Sequence, residues 1–124
     1  MRTILDSSIL IDVLRRRPAA AAFLVEAAQR GDLWSITPVR TELFGGLLPG
    51  EEEPTSALMA EIRWQDVTIS IADQAGTFAR RFRRSHRIEV VDLLVAAAAV
   101  ELGGQVATLN VRDFPMFPGL QPPY

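Results

Sequence analysis

Apolar positions along this chain follow two rhythms. Short, nearly continuous blocks at Thr3–Leu5, Leu33–Ile36, Val67–Ile69 and Gln105–Leu109 have the length and composition of buried strands. Between them, apolar residues recur at helical spacing. Ile9, Leu10, Val13 and Leu14 share one face of a segment running Ser7–Leu14. Arg15–Arg17 and Pro18 interrupt it, and Ala19–Arg30 follows as an alanine-rich helix ended by Gly31. Thr37 before Pro38 reads as a cap with proline at the first helical position, opening a third helix to about Leu48. Pro49–Pro54 is a loop, and Thr55–Arg63 predicts a fourth helix. Ser70 is placed to cap a fifth helix, about Ile71–Arg84. Ile88–Val91 is an irregular apolar stretch, after which Asp92 opens a sixth helix, Leu93–Leu102, closed by Gly103 and Gly104. The tail Asn110–Tyr124 holds four prolines and one glycine, which predicts loop with room for one short strand.

Short apolar strands alternating with helices predict an α/β domain: a parallel sheet of four to five strands flanked by helices. At 124 residues the chain is one domain, residues 1–124, with no internal repeat. The longest apolar run, Leu93–Val100, falls short of the roughly 20 residues a bilayer requires. Asp6 and Asp12 interrupt the first apolar segment, where a secretory signal would carry no acid. The expectation is a cytoplasmic protein with no membrane partner.

Composition narrows the chemistry. There are no cysteines, which removes disulfides, thiol nucleophiles and thiolate-ligated zinc. The single histidine, His86, rules out an intrasubunit site built on two imidazoles. Acids number 15 and bases 13, and every base is arginine, able to grip phosphate or carboxylate with two hydrogen bonds. Without lysine, a phosphoacceptor domain, which needs one beside its strand-end aspartate, is disfavoured. Catalysis must come from carboxylates, hydroxyls, arginines or a bound hard cation.

Of four acids, three fall where an open parallel sheet places its ligands, at the carboxyl ends of its strands, and the fourth can point towards that edge. Asp6 closes the first strand, Asp92 opens the sixth helix, and Asp113 follows the fourth strand after a short turn. Glu42 lies in the helix after the second strand. Convergent carboxylates repel one another and raise their own pKa values, a conflict that a divalent cation removes. An all-oxygen site suits Mg²⁺ or Mn²⁺, which can activate water for phosphodiester hydrolysis. Each acid also has an ordinary reading: Asp92 as a helix cap, Glu42 as an exposed helix residue, Asp113 as a turn former beside Asn110. Asp6 resists one, because a charge inside an apolar segment is costly unless partnered.

At these residues the chain resembles the PIN-domain family. Ile4-Leu5-Asp6-Ser7-Ser8-Ile9-Leu10-Ile11-Asp12 is similar to the family's first motif, and Thr37-Pro38-Val39-Arg40-Thr41-Glu42-Leu43 to its second. Val91-Asp92-Leu93-Leu94 with the alanines after it resembles the third, and Thr108-Leu109-Asn110-Val111-Arg112-Asp113-Phe114 the fourth. Each motif alone is weak, but four in order across nearly the whole chain are specific. The resemblance implies a three-layer fold and Mg²⁺- or Mn²⁺-dependent cleavage of RNA. It implies that Asp6, Glu42, Asp92 and Asp113 gather the metal, with Ser7 and Thr108 placed to hydrogen-bond the acids or the metal-bound water. Asn110 stands where some relatives carry a second aspartate, giving a neutral oxygen in place of a charge. In length the chain is most similar to VapC-type toxins of VapBC toxin–antitoxin pairs. That implies a homodimer held inactive by a VapB-type antitoxin, with the Thr55–Arg63 region and the exposed parts of helices three and four as partner surface.

Arg80, Arg83, Arg84 and Arg87 share one face of the fifth helix and its end, opposite Phe78 and Phe82. Together with Arg112 they are candidates for contact with an RNA backbone. An equal reading is a solvated face whose cations complement the helix C-terminus. His86, inside this run, is expected to be exposed and without a catalytic role. The alternatives to a toxin ribonuclease are a PIN-like module that only binds RNA or protein, and a maturation nuclease that is not a toxin.

Overall fold

A computed structural model of the chain describes residues 1–82 and 85–124. It holds four strands and six α-helices in the order β1 (Arg2–Leu5), α1 (Ser7–Leu14), α2 (Pro18–Arg30), β2 (Asp32–Ile36), α3 (Thr37–Gly45), α4 (Glu52–Ala60), β3 (Arg63–Gln65), α5 (Ile69–Phe82), α6 (Val90–Leu102) and β4 (Gln105–Ala107). A single 3₁₀ turn, Val111–Asp113, follows β4. No helix among the described residues is long and apolar enough to cross a membrane.

The strands form one parallel sheet in the order β3-β2-β1-β4. From β1 the chain steps outward to β2 and β3, then returns across the sheet to place β4 on the other side of β1. Right-handed crossovers put helices of the two directions on opposite faces. Packing agrees: α1 lies against α2 and α3, whereas α6 lies against α5 and spans β1, β2 and β4. The result is the expected three-layer arrangement, with four strands. Strand order reverses between β1 and β4, which is where an open sheet binds its ligands.

The inner elements follow their sequence closely. Ile4 and Leu5 of β1 are fully buried, as a strand covered on both faces requires. Helix α6 buries Leu93 and every residue from Val95 to Ala99. Its small side chains let it approach the sheet closely. Gly103 ends it with φ +64°, the left-handed conformation that favours glycine, and Gly104 N–H closes back on the Ala99 carbonyl at 2.9 Å. Phe78 is buried and Phe82 half-buried, as the fifth-helix pattern predicts.

The peripheral elements depart from expectation. The third strand is Arg63–Gln65 rather than Val67–Ile69, pairing Trp34 with Arg63 and Ile36 with Gln65. An edge strand is not enclosed, so polar residues suit it. Arg63 lies 3.8 Å from Asp32 and stacks over Trp34, while Ile69 is left 82% exposed. Helix α4 begins at Glu52 instead of Thr55. Pro54 sits in its first turn, where no N–H is needed, and Glu52 and Glu53 complement the dipole. Helix α3 ends at Gly45 rather than Leu48, and Thr37 lies inside it, making no capping hydrogen bond. Ser70 does not cap α5 either. Thr68 Oγ1 accepts the Ile71 N–H at 3.1 Å, and Ser70 donates to Glu101 across to α6. Helix α6 starts at Val90, so Asp92 is in its first turn and Glu89 takes the cap position. Strand β4 stops at Ala107, and the described tail holds no strand. Phe114, fully buried, anchors the tail, and Tyr124 Oη donates to Asp12 Oδ2 at 2.9 Å.

Candidate active site

Asp6 and Thr108 leave the carboxyl ends of the two adjacent strands β1 and β4. The Asp6 N–H extends the ladder, donating to the Ala107 carbonyl at 3.0 Å. This pairing holds the side chain under cover, with Asp6 only 1% exposed. Its Oδ2 accepts two hydroxyl protons, from Ser8 at 2.9 Å and Thr108 at 2.8 Å. Its Oδ1 is buried with no protein partner. A buried carboxylate oxygen left unsatisfied costs about 1–3 kcal/mol or more, so the residue is arranged around something other than folding.

Asp92 and Glu42 lie near enough to feel its charge. Asp92, half-buried in the first turn of α6, has its pKa pushed up to about 7, first by burial and then by Asp6, Asp113, Glu42 and Glu89. All three of the other acids anticipated from the sequence thus act on Asp92 electrostatically. Glu42 stands at the exposed rim on α3. Burial raises its pKa most, with Asp6 and Glu89 adding to the rise and a hydrogen bond from Ser7 opposing it. Asp113 comes in on the 3₁₀ turn after β4, half-buried.

Thr108 bonds an acid, and so does Ser8, a hydroxyl the sequence reading did not single out. Ser7 acts on Glu42, lowering its pKa. Asn110 faces solvent, and its backbone N–H donates to Thr108 Oγ1 at 3.0 Å. Glu89 was the acid missed. Its only sequence signal is its place three residues before Asp92, one helical turn, which becomes visible once the helix start moves back to Val90.

An all-oxygen donor set of this charge fits a hard divalent cation, and the free Oδ1 of Asp6 is a ligand atom without another use. As the side chains stand, no three acid or histidine groups among the described residues close to the spacing that would enclose a metal ion.

Arg80, Arg87 and Arg112 are exposed and form no ion pair among the described residues; Arg83 and Arg84 lie outside those residues. His86 is half-buried rather than exposed, edge-on to Phe82 and 2.7 Å from Ser85 Oγ.

The model of the PIN domain family matches residues 3–117. This chain belongs to the PIN-domain family. It is 43% identical over 123 residues to Ribonuclease VapC19 of Mycobacterium tuberculosis, covering 98% of both chains. It is 46% identical over 123 residues to Ribonuclease VapC10 of the same organism, covering 98% of this chain and 92% of that one. In three dimensions it matches the VapBC2 structure from Rickettsia felis bound to a promoter DNA fragment. The TM-score is 0.81 at 19% identity, with 97% of this chain and 96% of that one covered. The PIN fold expected from the four motifs is therefore the one this chain adopts.

Proposed function

We propose that this PIN domain is the toxin ribonuclease of a VapBC-type pair, hydrolysing RNA phosphodiester bonds with Mg²⁺ or Mn²⁺ at the Asp6 cluster. The observation that carries this reading is the buried Asp6 carboxylate. One oxygen is fixed by two hydroxyls and the other has no protein partner, and the charge acts on Asp92, whose pKa is raised to about 7 by burial and its acidic neighbours. Near-identical length and 43–46% identity to two proteins named as ribonucleases support the substrate class.

Asp6, Glu42, Asp92 and Asp113 would hold the cation, which when bound supplies Lewis-acid activation of water and neutralises charge on phosphate. Each residue has a distinct task. Asp6 is locked by Ser8 and Thr108, so its free oxygen is pre-oriented. Asp92 and Glu42, whose pKa values burial and neighbouring acids raise, would be favoured in the charged form by a cation held among them. In the overall reaction water adds to phosphorus, the phosphorus–oxygen ester bond breaks, and the departing oxygen takes a proton. Arg112, beside Asp113, and Arg80, Arg83, Arg84 and Arg87 are assigned to the RNA backbone, positioning it without reading bases.

The VapBC likeness supports a VapB-type antitoxin as partner. A homodimer and a cytoplasmic location complete the proposal. A module that binds RNA without cutting it has no reason to concentrate negative charge where phosphate must lie.

The test is to incubate the partner-free protein with structured and single-stranded RNA in Mg²⁺, in Mn²⁺ and in EDTA, beside Asp6→Asn and Asp92→Asn. Cleavage should require the metal and fall in both variants by more than the about 10–100-fold typical of an outer-shell change. Cleavage that persists in EDTA, or in both variants, would overturn the mechanism.

A further inference from the structure

We infer that Ser8 is a positioning residue, the clasp that fixes the loop carrying Asp113 against Asp6. The inference rests on the metal-site reading above and specifies how its two halves are held in register. Ser8 Oγ makes two hydrogen bonds to different elements. It donates to Asp6 Oδ2 at 2.9 Å, and it accepts the Leu109 N–H at 3.1 Å, 101 residues away in sequence. Thr108 mirrors it, donating to the same Asp6 oxygen at 2.8 Å and accepting the Asn110 N–H at 3.0 Å.

The direction of every bond is forced. A backbone amide can only donate, so each hydroxyl turns a lone pair to its loop amide and gives its single hydrogen to Asp6 Oδ2. The 3.4 Å approach between the two hydroxyl oxygens is then left without a shared proton. Polarised in series, each hydroxyl accepts from its amide more strongly for donating to a charge.

The two hydroxyls are not equivalent. Thr108 and Asn110 belong to one loop, so their bond folds that loop locally. Ser8 stands in the first turn of α1, so its bond to Leu109 joins the β1–α1 corner to the segment that runs through Asn110 to Val111–Asp113. Removing it leaves Asp6 with one donor and frees the first loop amide before Asp113.

Ser8→Ala removes only this hydroxyl, and Ser8→Thr keeps one. Two readouts other than turnover decide the matter, both taken far below the melting temperature: hydrogen exchange at the Leu109 amide, and Mn²⁺ affinity by calorimetry. In Ser8→Ala, Leu109 should exchange at least about tenfold faster and Mn²⁺ should bind about 10–100-fold more weakly. Ser8→Thr should restore both to within about threefold of wild type on the same scale. Unchanged Leu109 exchange, or faster exchange with unchanged Mn²⁺ affinity, would overturn the clasp. If the wild-type protein binds no Mn²⁺, the metal reading fails instead. The clasp then stands or falls on Leu109 exchange alone.

Discussion

Asp6 and Asp92 carry the same group in opposite settings. Asp6 has hydroxyl donors on one oxygen; Asp92 has, among the described residues, acidic neighbours and no side-chain donor. The consequence for stability can be signed. A carboxyl with a folded-state pKa near 7 and an ordinary value of 3.8 holds more protons folded than unfolded between those limits. Stability of the metal-free protein therefore falls as pH rises through that window. Asp92→Asn should remove the penalty. In EDTA at pH 8 it should gain about 1–2 kcal/mol after allowance for solvent screening of a half-exposed group. The gain should vanish near pH 4. Thermal melts at the two pH values check this, and an equal shift at both would mean that charge is not the cause.

The arginines belong to the same scale. Replacing Arg80, Arg83 and Arg84 by alanine in an Asp6→Asn background should weaken RNA binding. It should also reduce the salt dependence, by about 0.7 in slope for each phosphate of single-stranded RNA that is no longer neutralised. Unchanged affinity and slope would return these residues to the role of a solvated face.

At the scale of elements, the starts of α5 and α6 decide what their polar residues do. Thr68, not Ser70, holds the α5 N-terminus, and Ser70 reaches Glu101 on exposed surface. Thr68→Ala should cost about 1 kcal/mol, and Ser70→Ala only a few tenths. Denaturant midpoints of the two variants beside wild type read the difference directly. Two neighbouring hydroxyls ahead of a helix offer the same capping signal in sequence, and the backbone path settles which one faces the free amides. A similar slip in the start of α6 hid Glu89. The displaced third strand has a related origin. Val67–Ile69 reads as more strand-like than Arg63–Gln65, but an edge position gains little from apolar side chains. There Trp64 Nε1 donates to the Met59 carbonyl and Arg63 takes Asp32 as partner.

For the whole molecule, α6 is the keystone. It touches α5 and three strands, and it brings Asp92 to the carboxyl edge. Ala96, Ala97 and Ala98 are fully buried along it. Ala96→Leu should cost about 1–3 kcal/mol by overpacking. It should also lower cleavage by displacing Asp92, a coupling that a melt and an RNA assay on the same variant would detect. Retained activity despite the lower stability would show that the helix shifts without moving its first turn.

What the sequence determined by itself is the part of the protein set by strong local patterns and by charge in unexpected places. The buried strands β1 and β2, the enclosed α6 and the parallel α/β class follow from periodicity, because enclosed elements must be apolar in a fixed rhythm, while the mostly exposed α2 follows from its alanine content. Asp6 announces itself by breaking such a run, and the order of four acidic motifs points to the PIN domain. Only the tertiary structure decided which hydroxyl meets which acid, that Glu89 joins the cluster, and where the edge strand lies. Those outcomes depend on contacts between residues such as Ser8 and Leu109, 101 positions apart, and on solvent exposure at the sheet's edge. Neither quantity is written in any local window of the chain.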